Sequence, residues 1–240
     1  MKYLLITAIS ISCLTLSCDT LSEVGKELGN QADEAYSQPS SLEINNGLKE
    51  ALTRGTDSAV GLLNKSGGYQ DNPLVKIPFP KEVDEVAEKL KQLGMTKLVS
   101  DFEQSMNKAA ENAAAKAKPI FVNAITSMSF ADARAILTGG NGAATNYFKS
   151  KTSQRLKAAF KPEINKALNA VNATKYWTDI TTAYNRIPML ADVEADLSTY
   201  VTDKAMEGLF LMIEQEENKI RQDPAARVTE LLKKVFGSIN

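Results

Sequence analysis

Thr138, Gly139, Gly140, Asn141 and Gly142, followed by Ala143, Ala144 and Thr145, have the composition of a loop that holds an anion. Glycines permit close approach, and the helix beginning there would point its first free N–H groups outward at the positive end of its dipole. The lysine and preceding strand of a phosphate-binding P-loop are missing, which argues against a nucleotide. The plainer alternative is one helix stopping and another starting, with Gly139 or Gly140 supplying the left-handed residue. Glu216 and Glu217 flank an apolar seam, three and four places after Ile213 and shortly before Ile220. Arg221, four after Glu217, is placed for an intrahelical pair, and Arg134 or Lys108 could reach across from elsewhere. A buried and unpaired carboxylate would have a raised pKa and could act as an acid or base, whereas a paired one is structural. Asn107 and Glu111, four apart in an alanine-rich stretch, invite the same two readings.

The absences cut deeper. The chain has no histidine, and its two cysteines are Cys13 and Cys18. If the chain is cut before Cys18, the mature protein is left without imidazole, disulfide or any thiol beyond that one residue. Ser-His-Asp and Cys-His catalysis, His or Cys zinc sites and thiol redox chemistry are then excluded. Carboxylate acid–base work, a lysine or tyrosine catalyst, or an oxygen-ligand metal site survive that exclusion, but none has a diagnostic motif. No cofactor and no metal site is expected.

Cys18 itself has a reading. It closes the run MKYLLITAISISCLTLSC, in which Lys2 supplies a positive start, the apolar stretch is short, and Leu16 and Ser17 lead into the cysteine. A membrane-spanning helix needs roughly 20 apolar residues, so this is a cleaved secretion signal ending in a lipid-attachment site, with acyl chains on Cys18. Thr15 stands where such a site usually has a branched aliphatic residue. The expected address is the cell envelope, on the periplasmic or exterior face, held to the membrane through those chains. Losing residues 1–17 removes only Lys2 among 28 basic and 29 acidic groups, leaving a net charge of -2. Acidic and basic residues are interspersed from end to end of the chain, so no nucleic acid is expected as a partner.

These groups have to be positioned by helices. Apolar residues recur at helical spacing from Ser41 onward, with Ser40 or Ser41 as a cap and Leu42, Leu48, Leu52, Val60 and Leu63 on the buried side. Ser66-Gly67-Gly68 ends that helix, and YQDNPLVKIPFP (69–80), with three prolines, reads as an ordered crossing or an edge strand. Further helices are expected over 81–93, over 97–117 with Thr96 as cap and Pro119 as the break, and over 130–137 behind a Ser129/Asp132 capping box. Beyond the glycine loop the pattern gives helices at 143–149, 152–162 and 163–171, then one within 174–190 that is ended by a tight turn at Pro188, and others at 197–222 and 225–236. The aromatics Tyr69, Phe79, Tyr147, Phe148, Tyr176 and Trp177 sit near breaks and should plug the bundle. The expected fold is all-α, a compact bundle of about eight or nine helices over residues 40–240, preceded by a flexible tether at 18–39.

The strings GLKEAL, GGYQDNPLVKIPFP, MNKAAENA, ADARAILTGGNGAATNYF, DLSTYVTDKAMEGLFLMIEQEENKIRQDP and KKVFG, ordered across residues 46–237, resemble the bacterial envelope family called domain of unknown function 4197. The resemblance implies a mostly helical structure and frequent signal peptides or lipid anchors, and it implies no established activity. A non-enzymatic lipoprotein that binds another envelope component is the leading expectation. The runner-up is a carrier of a lipid or other apolar ligand, with a cavity formed by the 205–213 face and the aromatics near 147 and 176. A hydrolase using the glutamates above comes third.

Overall fold

A computed structural model describes residues 38–80, 84–185 and 196–237. Residues 1–17, expected as a signal, Cys18, nearly all of the expected tether at 18–39, and Ile187 and Pro188 lie outside the described residues. Among the described residues every regular element is helical: α1 (Ser41–Asn64), α2 (Asp84–Gln92), α3 (Thr96–Ala114), α4 (Ala117–Thr126), α5 (Phe130–Thr138), α6 (Ala143–Ala170), α7 (Ala173–Tyr184), α8 (Leu197–Gln222) and α9 (Glu230–Gly237). A short 3-10 turn (Pro224–Ala226) precedes α9. The fold is the expected all-α bundle, and the unit Pro39–Asn240 contains its whole described core. A unit with its own core meets the minimum for folding alone.

The helix starts obey local chemistry. Ser40 caps α1 through a reciprocal box in which its hydroxyl accepts from Glu43 N and its own N–H donates to the Glu43 carboxylate at 2.8 Å. Ser129 and Asp132 do the same for α5. Thr96, expected as a cap, is instead the first residue of α3, behind Met95 with no side-chain cap. The break after α3 falls at 115–116, ahead of Pro119, which sits in the first turn of α4 where N–H groups have no helical partner anyway. Leu42, expected on the buried stripe, is 60% exposed, and Tyr176 also faces solvent.

α6 is one uninterrupted helix where three pieces were expected. Its buried residues Ala144, Phe148, Thr152, Leu156, Phe160, Ile164 and Leu168 repeat every four places and hold it against the core. Thr152 caps nothing; its hydroxyl donates to the Phe148 carbonyl at 2.6 Å. Pro162 removes the hydrogen bond that would end on the Ala158 carbonyl, but both residues face outward, so water replaces what the helix loses.

α6 and α8 form the centre, with α1 and α3 packed against them. The MEGLFLM stretch lies in α8, where Leu209, Phe210, Met212 and Ile213 are buried. Trp177 is fully enclosed between Phe79 and Phe102, with ring centroids 5.9 and 6.0 Å away. Phe121 meets Phe148 at 5.0 Å and Phe210 at 6.5 Å. Ala109, Ala110, Ala113 and Ala114 are all buried, so the alanine-rich end of α3 is a close-approach surface. The last helix begins at Glu230 rather than 225, because Asp223 caps the 3-10 turn instead.

Glu43 also receives the Lys234 ammonium of α9 at 2.7 Å. This bond and those from Ser40 lower its pKa from 4.5 to about 2. A depressed folded pKa contributes stability above about pH 4.5 that is lost as pH falls toward 2. Thermal midpoints measured across that window should fall less steeply for Glu43→Gln than for the parent chain.

Candidate functional site

The glycine loop is a sharp break between α5 and α6. Gly140 (φ +74°) and Gly142 (φ +77°) adopt the left-handed conformation, whereas Gly139 does not. The turn aims the first N–H groups of α6 inward, toward α8, rather than at solvent. There the Glu217 carboxylate accepts from Ala144 N at 3.0 Å, from Thr145 N at 2.9 Å and from the Thr145 hydroxyl at 2.9 Å. The position that an anion could take at this helix start is filled by the chain itself.

Arg221 completes the arrangement. Its Nε donates to Glu217 Oε1 at 3.0 Å, and its two terminal nitrogens donate to the carbonyls of Ile136 at 2.7 Å and Leu137 at 3.2 Å. The carboxylate meets the positive start of α6, and the guanidinium meets the negative end of α5, so each charge is matched to a helix terminus. Both side chains are nearly buried, at 6% and 8% exposure. The expected intrahelical pair is present; Lys108 pairs with Glu111 instead, and Arg134 is exposed. Arg227 then closes α8, its Nε donating to Ile220 O at 3.1 Å and a terminal nitrogen to Arg221 O at 2.6 Å.

Asn107 and Glu111 form a separate cluster that holds residues 69–80. The Asn107 amide accepts from Ile77 N at 2.8 Å and donates to Ile77 O at 2.9 Å, taking the place of a neighbouring strand. Glu111 accepts from Tyr69 N at 3.4 Å and from Lys108 at 3.2 Å. The Tyr69 hydroxyl donates to Ala205 O on α8 at 2.7 Å, and burial, with the nearby Glu111 charge, pushes its pKa up. The crossing is ordered, as expected, but it has no strand partner among the described residues.

Residues 38–237 match a family model described as a protein of unknown function, DUF4197. The chain belongs to this family. No curated protein and no solved structure matches it. The matched span contains both clusters and every described helix, so the family domain and the folded unit coincide.

In this DUF4197 domain the candidate polar residues act as joints. Every one of Asn107, Glu111, Thr145, Glu217 and Arg221 is engaged with backbone or with another of the set. Gly140 and Asn141 remain exposed at the loop tip, and the Thr138 hydroxyl donates to Arg134 O within α5. Among the described residues no group of three or more His, Cys, Asp or Glu is placed to hold a metal. The space beside Glu217, between α1, α6, α8 and α9, amounts to about 20 Å³, room for a single water.

A surface groove of about 440 Å³, not expected from the sequence, lies between the crossing and α8, walled by Leu74, Pro78, Tyr200, Lys204, Glu207 and Leu211. Leu74 is 60% exposed, and a Lys204–Glu207 pair at 2.7 Å lies on the rim. The three prolines were the available signal, because a segment that cannot pair as a strand leaves a channel beside the helix it crosses.

Both clusters can be probed by substitution. Arg221→Met should destabilise the fold by about 3 kcal/mol because it strands a buried carboxylate, and Glu217→Ala with Arg221→Met should cost less than the sum of the singles. Denaturant midpoints of the four-member cycle measure this. At Gly208 an added Cβ would lie 3.0 Å from both Tyr69 Cε1 and Val75 Cβ. Tyr69 is fixed at both ends, so Gly208→Ala should cost about 1–3 kcal/mol by overpacking, read from the same denaturant curves.

Proposed function

We propose that this protein is an envelope-anchored lipoprotein whose helical domain is a non-enzymatic interaction module. Cys18 carries the acyl chains, and residues 19–39 tether the domain to the membrane. The observation that carries the reading is the use of the polar side chains: the residues best suited to acid–base work are spent on helix ends and on the proline-rich crossing. What the domain offers a partner is surface, and the groove beside Leu74 and Leu211 supplies an apolar, partly charged place for an envelope protein to dock.

The carrier reading draws less support. Ligand pockets enclose about 300–1,000 Å³; the space between α1 and α8 has about 20 Å³, and the groove along Glu207 and Leu211 reaches that size but lies at the surface with Lys204 and Glu207 on its rim. Tyr147 and Leu209, expected to line a ligand cavity, are engaged in packing, with the Tyr147 hydroxyl donating to Ala124 O at 3.1 Å.

Metabolic labelling with a fatty-acid analogue in a bacterial host should mark the wild-type chain and leave Cys18→Ala unmarked, and only the labelled form should enter a detergent phase. In the anchored protein, crosslinking to an envelope partner should fall by more than tenfold with Leu74→Asp plus Leu211→Asp, while helicity is unchanged. An unlabelled wild-type chain overturns the anchor, and unaffected crosslinks overturn the groove.

A further inference from the structure

The chain has nearly balanced charge, with 28 basic and 29 acidic residues, yet α6 holds six of the first kind and one of the second. Folding sorts them by direction. Toward α8, Lys157 pairs with Asp203 at 2.7 Å and Lys161 with Asp196 at 2.8 Å, and Lys149 lies over the Phe210 ring. Toward α4, the single acid Glu163 is taken by Lys116 at 3.1 Å, which brings another cation to the same side. The outward side is left with Lys151, Arg155 and Lys166. Lys151 lies over the Tyr147 ring, and its charge also acts on Asp132, whose carboxyl is engaged by Ser129, while Arg155 and Lys166 have no ion pair among the described residues.

We propose that this outward face of α6 is a docking surface for anionic phospholipid headgroups, on which the domain lies. Charge complementarity selects the occupant. From Lys151 to Lys166 the helix rises about 22 Å, at 1.5 Å per residue, a rigid basic track. Beside the cations lie the uncharged Gln154, Ala158, Pro162 and Asn165, which with Lys157 and Lys161 line a shallow depression of about 580 Å³. No exposed aromatic interleaves the track, so it lacks the stacking platform that single-stranded nucleic acid uses. A lipid surface needs only a flat array of positive charge, and each Lys or Arg brought near it adds to the binding. The proposal rests on the lipoprotein reading for its setting, since an acyl chain on Cys18 would keep the domain within reach of such a surface.

The test uses residues 39–240, which hold the whole core and lack the anchor, so its result is independent of Cys18 labelling. Sedimentation with vesicles containing about 30% phosphatidylglycerol should show binding at low salt that weakens sharply at about 0.3 M salt, and little binding to phosphatidylcholine alone. The triple variant Lys151→Glu, Arg155→Glu and Lys166→Glu should lower the partition coefficient at least about tenfold with unchanged helicity. A charge-matched control, Lys91→Glu, Lys97→Glu and Lys233→Glu on α2, α3 and α9, should leave it within about twofold. Equal binding to both vesicle types, no binding to either, or an equal loss in the control overturns the proposal.

Discussion

The bundle depends on one buried ion pair set across a broken helix. Glu217 and Arg221, one turn apart on α8, neutralise the start of α6 and the end of α5 together. Burying either charge alone would be costly, because desolvation of an isolated ion in a protein interior takes several kcal/mol. The arrangement is tolerable because the carboxylate faces two backbone N–H groups, a hydroxyl and a guanidinium, while the guanidinium faces two carbonyls as well. The glycine loop can then turn sharply without leaving helix-end groups dry, and the central helix α6 starts in a defined direction against α8.

The same logic operates at the proline-rich crossing. The crossing begins as turns that close their own backbone hydrogen bonds, Asn72 to Tyr69 and Lys76 to Asn72, and from Ile77 onward its backbone groups have no neighbouring strand among the described residues to satisfy them. Asn107 supplies both an acceptor and a donor to Ile77, Glu111 receives Tyr69 N, and Tyr69 reaches back to α8. In an alanine-rich core these few polar side chains complete the backbone hydrogen bonding where helices cannot. That use explains why residues with the look of acid–base groups sit so deep inside the domain.

Much of the fold was legible in the sequence, since helix starts and long amphipathic stretches are local. Ser40, Ser129 and the bounds of α8 are read directly from caps and periodicity. The continuity of α6 was not legible, because Pro162 breaks a helix only where its lost bond is buried, and which side of α6 would face water is a tertiary fact. Thr96 and Leu42 misled for a similar reason: a cap or an apolar position is an option that packing either takes up or leaves. For the candidate site, the residues themselves were readable, but their relations were not. Nothing local connects Thr145 with Glu217, 72 positions away, so the glycine loop and the glutamate stood as two separate sites. Once joined they account for each other, and the exposed groove and the sorted charges of α6 become the features that face the outside.

Glu217 already occupies the anion position at the start of α6. Residue-resolved amide hydrogen exchange and nitrogen–proton spectra at Ala144 and Thr145 report on that carboxylate. Protected amides whose signals do not move when phosphate or sulfate is added, and which shift on Glu217→Gln, agree with an internal carboxylate in that place. Rapid exchange in the parent chain, or saturable shifts with added anion, would contradict it and return the loop to the role of a ligand site.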